Sequence, residues 1–152
     1  MFQDGQAVLR NDGSQRSNDR GLFPDPANPD KPPPGAYIDL PNGIISALGP
    51  DATFETWITW YGPTDSSWQR IFDFGTSDEG EDVSPAAPNS TYIFMTPRSG
   101  PGTLRAGYRD GPTAAERWVE TGQLADGVEQ HVVLTWDGDD GQGDCAGGGG
   151  AP

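Results

Sequence analysis

The stretch that most constrains this chain is residues 53–60, Thr-Phe-Glu-Thr-Trp-Ile-Thr-Trp. It contains no Gly or Pro and is dense in β-branched and aromatic residues, a composition that fits a pleated, half-buried surface. Side chains of an extended segment alternate between two faces. Phe54, Thr56, Ile58 and Trp60 then share a mostly apolar face, while Thr53, Glu55, Trp57 and Thr59 share a polar one built around a single large aromatic. The pattern predicts a central antiparallel strand, with one face in a core and the other on a surface able to meet a ligand.

The remaining chain repeats this theme in shorter units. Residues 7–10, 36–40, 68–75, 91–97, 103–109 and 130–136 read as strands. Turn chemistry separates them: Pro41-Asn42-Gly43, Gly49-Pro50-Asp51, Ser99 to Gly102, Asp110-Gly111-Pro112 and Asp126-Gly127. Residues 44–48 fit a helical turn or a bent strand. Residues 114–120 have a composition that permits a helix but are too few to sustain one, so residues 117–121 are read as a strand. Residues 22–35 are Pro-rich and predict a stiff connecting loop; a proline-rich ligand for an adaptor domain is the alternative. Residues 76–90 form a long acidic loop. From residue 139 to 152 the chain is mostly Gly, Asp and Ala, with too little apolar surface to order itself by burial, and predicts a disordered tail. The sum is an all-β, antiparallel two-sheet β-sandwich over residues 1–138. Phe54, Trp60, Phe72, Phe74, Phe94 and Trp136 are its expected core aromatics.

At 152 residues the chain suits one domain. Nine basic against 23 acidic residues give a formal charge of −14, which disfavours nucleic acid and anionic membranes as partners. The single Cys145 cannot form an internal disulfide, and no Cys/His spacing suggests zinc. No apolar run reaches membrane-spanning length, which argues against membrane insertion. The first residues show no basic and apolar signal segment. The chain is then either cytoplasmic or a piece of a longer exported protein.

Four blocks, residues 37–46 (Tyr-Ile-Asp-Leu-Pro-Asn-Gly-Ile-Ile-Ser), 52–60, 68–75 (Trp-Gln-Arg-Ile-Phe-Asp-Phe-Gly) and 131–138 (His-Val-Val-Leu-Thr-Trp-Asp-Gly), stand in the order found in laminin-G-like (LamG) jelly rolls. The chain resembles the bacterial type of these domains, within the concanavalin A-like lectin/glucanase superfamily, from about residue 7 to 138. The resemblance implies a jelly roll from a secreted or cell-surface protein, of the kind that serves adhesion or carbohydrate binding. In the family, further strands follow the last block and close both sheets. Residues 139–152 hold no counterpart, so the resemblance implies a jelly roll incomplete at its C-terminal end. Such a chain is a fragment or is completed by neighbouring domains or by the missing strands of a longer parent.

The superfamily also contains retaining glucanases, which need two carboxylates flanking the scissile bond. The nearest run here, Asp78-Glu79-Gly80-Glu81-Asp82, lacks the final Glu of their motif and lies in a loop, and Glu55 is alone on its strand. His131 has no Ser or Cys nearby in sequence, and by the resemblance shields a strand end. The expectation is therefore a non-enzyme. LamG domains often hold one calcium ion at the sandwich rim. Asp78, Glu79, Glu81 and Asp82 are the metal candidates, because calcium takes several oxygens from flexible loops; solvated acidic surface is the alternative. Asp137, Asp139, Asp140 and Asp144 form a second acidic group that fails the order of a calcium loop. For a ligand, Trp57 with Glu55, joined by Arg105 and Arg109 from a neighbouring strand, supplies a ring for stacking beside polar groups. The alternative is Trp57 packed between sheet and loop. The expected function is non-catalytic recognition of a glycan or an extracellular protein. Its rivals are a structural spacer or assembly module with no small ligand and, behind it, a glucan hydrolase.

Overall fold

The computed structural model describes residues 7–10, 37–41, 43–62, 67–76, 91–138 and 142–148. They form nine strands: β1 (Val8–Arg10), β2 (Tyr37–Asp39), β3 (Ala52–Thr59), β4 (Phe72–Thr76), β5 (Thr91–Thr96), β6 (Leu104–Arg109), β7 (Arg117–Thr121), β8 (Glu129–Asp137) and β9 (Gln142–Gly148). Among the described residues there is no helix. All pairings are antiparallel. The strands assemble into a two-stranded sheet β1-β2, a three-stranded sheet β3-β8-β9 and a four-stranded sheet β4-β5-β6-β7.

The three- and four-stranded sheets enclose one apolar core, giving a β-sandwich-like arrangement. Val132 and Leu134 of β8 meet Ile93 and Met95 of β5 and Leu104 and Ala106 of β6, with Phe54, Ile58, Phe72, Phe74, Tyr108 and Val119 packed against them. On β3 the alternation is strict, with Phe54, Thr56 and Ile58 partly buried and Glu55, Trp57 and Thr59 exposed. Phe54 stacks on Phe72 with ring centroids 5.1 Å apart, joining the two sheets. Trp60 is buried, and Trp136 meets Tyr108 at 4.3 Å.

Five expectations need correction or refinement. Among the described residues β3 pairs with β8 alone, so it is an edge strand and β8 is the central one. Alternation reports which face a residue takes and carries no information about how many neighbours a strand has. Phe94 is buried, but it lies on the outer face of β5, under Trp68 and the Arg70 guanidinium 4.2 Å from its ring centroid. The strand expected over residues 68–75 begins only at Phe72, because Trp68 takes a left-handed backbone, φ 73°. Residues 43–48 make a helical turn, with Ala47 N–H donating to Gly43 O at 3.0 Å. Residues 142–148, expected within a disordered tail, form β9 in register with β8, from Asp137↔Gln142 to His131↔Gly148. A strand edge offers backbone hydrogen bonds to any chain, and a Gly-rich segment can accept them without apolar side chains. The Pro-rich residues 22–35 and the loop 77–90 lie outside the described residues.

Candidate functional site

The four proposed ligand residues separate onto two sheets. Glu55 and Trp57 project from the outer face of β3 in the three-stranded sheet. Arg105 and Arg109 sit on β6 in the other sheet, on the face opposite Leu104 and Ala106, which are buried in the core. The core lies between these two outer faces, so β3 and β6 are not neighbours and the four residues do not share a site.

On the three-stranded sheet, Trp57 stands directly across from His131. Their rings stack at 4.7 Å with an interplanar angle of 20°. His131 Nε2 lies 3.3 Å from Glu55 Oε2, an ion pair whenever the imidazole is protonated. Trp57 remains 58% exposed, so its packing partner is an adjacent side chain of its own sheet rather than a covering loop. The laminin-G-like resemblance places His131 at a strand end; it is the third residue of β8 and the support beneath the exposed indole. A ring held by a neighbour, with a carboxylate beside it, can stack on an apolar face of a ligand and accept its hydroxyl hydrogens.

The other outer face is tied to itself. Arg105 donates through Nε and Nη2 to Glu120 Oε2 at 3.0 and 2.9 Å, and Thr103 Oγ1 donates to the same oxygen at 2.8 Å. The hydrogen bond from Thr103, then that from Arg105, holds the Glu120 carboxyl below the ordinary carboxylate range. The Arg105 guanidinium lies 4.3 Å from the Trp118 ring centroid and 5.4 Å from that of Trp68. Arg109 donates to the carbonyls of Gly111 and Pro112, closing the turn after its strand. Tyr92 donates to Glu116; burial, then that hydrogen bond, pushes the phenol up to about 12. Opposite Phe94 in register, Gly107 gives the ring its space, since a Cβ there would lie 2.5 Å from the ring.

Asp73 belongs to this face and receives Arg70 Nε at 3.0 Å. Desolvation by its neighbours raises its carboxyl above the usual range even though Arg70 pulls it down, an effect that solvent moderates because the side chain is 46% exposed. A carboxyl whose folded value is raised favours the folded state at acid pH and loses that contribution as pH rises through the folded value. Asp73→Asn is therefore expected to melt above the parent at neutral pH, with the difference shrinking towards zero below the unfolded value of 3.8. Thermal melts of both proteins across that range check the sign.

A cleft of about 340 Å³ runs beside β3 and β4, lined mainly by Phe54, Phe72, Phe74, Met95 and Val132. It is a gap between two sheet edges, and among the described residues its polar lining is Thr53, Glu55 and Thr56, all on β3. The calcium candidates Asp78, Glu79, Glu81 and Asp82 lie outside the described residues, as do Asp139, Asp140 and the side chain of Asp144. Among the described residues, no group of three or more His, Cys, Asp or Glu side chains could hold a metal ion, and no helix is long and apolar enough to cross a membrane.

No protein-family model, curated protein or solved structure matches this chain. The class that stands is the one its strands define, an all-β protein of antiparallel sheets around a shared core.

Proposed function

We propose that this chain is a non-catalytic recognition module that binds a carbohydrate on the outer face of β3 and β8. The observation that carries the reading is Trp57, more than half exposed yet fixed in a stack on His131, with Glu55 held at the same imidazole. An exposed tryptophan held in one orientation has already lost much of the freedom that binding would cost it. The reading includes a jelly-roll connectivity and a place in a secreted or surface protein, both drawn from the laminin-G-like resemblance. Fold alone supplies no function, so the weight rests on the site. Glu55 has an imidazole, rather than a second carboxylate, as its partner, which suits recognition better than the paired carboxylates of glycoside hydrolysis.

Trp57→Ala is the deciding variant. Glycan retention in affinity electrophoresis is expected to weaken by on the order of tenfold, the loss of one stacked ring. Stability is expected to fall by about 1 kcal/mol or less, the value of one exposed cross-strand pair. A large loss of stability with no binding to lose would instead favour the spacer reading.

A further inference from the structure

Recognition through Trp57 leaves the length and charge of the carbohydrate open, and a second exposed ring addresses both. Tyr61 is 78% exposed, and it follows Trp57 by four positions, on the same alternate of the extended chain. The pairing of β3 with β8 continues past the strand end: Thr59 stands opposite Glu129, and Gly127 N–H donates to Trp60 O at 2.8 Å. The Tyr61 ring lies beside Gly127, where a Cβ would meet its Cε1 at 3.6 Å. Gly127 has a left-handed φ of 69° and carries no side chain to cover the phenol. Two rings, at Trp57 and Tyr61, therefore mark the ends of one strip, with exposed Thr59 and Glu129 between them.

Four residues of extended chain place these rings about 13 Å apart, farther than one sugar ring reaches. The polar groups along the strip are Glu55, Thr59, Glu129 and His131, so hydroxyls meet the two carboxylates as acceptors and the Thr59 hydroxyl and His131 imidazole as donors, while anionic groups meet two carboxylates. The chain as a whole carries −14, which repels polyanions over a longer range. On the reading of the Trp57 face as a carbohydrate site, we infer that its ligand is a neutral, linear oligosaccharide of several units that spans Trp57 and Tyr61. Sulfated and uronate polymers are excluded by charge, and monosaccharides by length.

The test has two stages. Affinity electrophoresis of the full chain compares mixed-linkage β-glucan, galactomannan, arabinoxylan and pullulan with a sulfated galactan and a polyuronate. Retardation by a neutral polymer and none by the charged ones is expected; preference for a charged polymer overturns the inference. Calorimetric titration then follows oligosaccharides of increasing length cut from the retained polymer. Affinity is expected to rise until the ligand covers both rings and then level off. Tyr61→Ala is expected to remove that rise, on the order of tenfold at the longest ligand. Affinity independent of length, or a rise that survives Tyr61→Ala, overturns the spanning ligand while leaving recognition at Trp57 intact. No retardation by any polymer overturns both. Tyr61 is exposed, so an unchanged melting curve of the variant confirms that its fold is preserved.

Discussion

Leu104→Ala is expected to destabilise the chain by about 2–5 kcal/mol, the range for emptying a packed leucine site. Leu104 is 0% exposed, the floor of the scale, and lies in the layer where the sheets meet. It belongs to one buried cluster with Met95, Ala106 and Leu124 and with Val132 and Leu134 from the facing sheet. Its backbone pairs opposite Thr121 of β7, and the next residue, Arg105, pairs with Thr96 of β5, so the walls cannot easily collapse inward. For a domain of this size the melting temperature should fall by roughly 4 to 20 °C. In urea the midpoint should drop with the slope unchanged, because the surface exposed on unfolding hardly changes. Ile44→Ala is the control: Ile44 is 46% exposed in the helical turn, and its loss is expected to cost no more than about 0.5 kcal/mol. Equal effects of the two variants would mean that the core is not where the two sheets place it.

The period of two along residues 52–59 reveals which side chains face inward, and the burial of β3 follows it residue by residue. The strand at 117–121 was legible against a helix because its neighbours were all strands. Sheet membership was hidden. Arg105 and Trp57 both read as outward, yet outward from different sheets, since alternation fixes a face only within one strand. Leu124 escaped for another reason: it is buried in the connection between β7 and β8, where no periodic pattern exists to betray it. The aromatic character of Trp68 points to a strand residue. Its positive φ is uncommon for a bulky side chain, and local propensity points the other way. His131 was visible as a residue, but its role depends on the register Trp57↔His131, which only the paired strands supply.

The two outer faces differ in what they leave available. On the four-stranded sheet several polar groups are taken up by one another: Arg70 with Asp73, Arg105 with Glu120 and the Tyr92 phenol with Glu116. Trp118 has the Arg105 guanidinium over its ring. A ligand there would have to displace contacts that already satisfy both partners, and charge-assisted hydrogen bonds are costly to exchange. On the three-stranded sheet one exposed carboxylate meets one imidazole at 3.3 Å beside a largely open indole. That asymmetry, more than the count of aromatic residues, is the reason the proposed recognition is placed on the β3–β8 face.

Ending the chain after Gly138 is expected to abolish its cooperative unfolding transition or to lower it by several kcal/mol. Residues 139–152 look dispensable by composition, but Gln142–Gly148 pairs with β8 along its whole length. Seven residues of ladder, at about 0.5–1.5 kcal/mol per hydrogen bond, amount to several kcal/mol before the entropy of ordering a Gly-rich strand is set against them. A domain of this kind has only about 5–15 kcal/mol in total. β9 also lies against β7 of the facing sheet, so its removal uncovers one side of the core as well as the backbone of β8. A newly bared central strand is a template for pairing with other chains. The shortened protein should therefore elute in size-exclusion chromatography as aggregates at concentrations where the full chain does not. If the two proteins melt and elute alike, the pairing of β9 contributes nothing to the fold, and a strand built from glycine would then be held in place without holding anything itself.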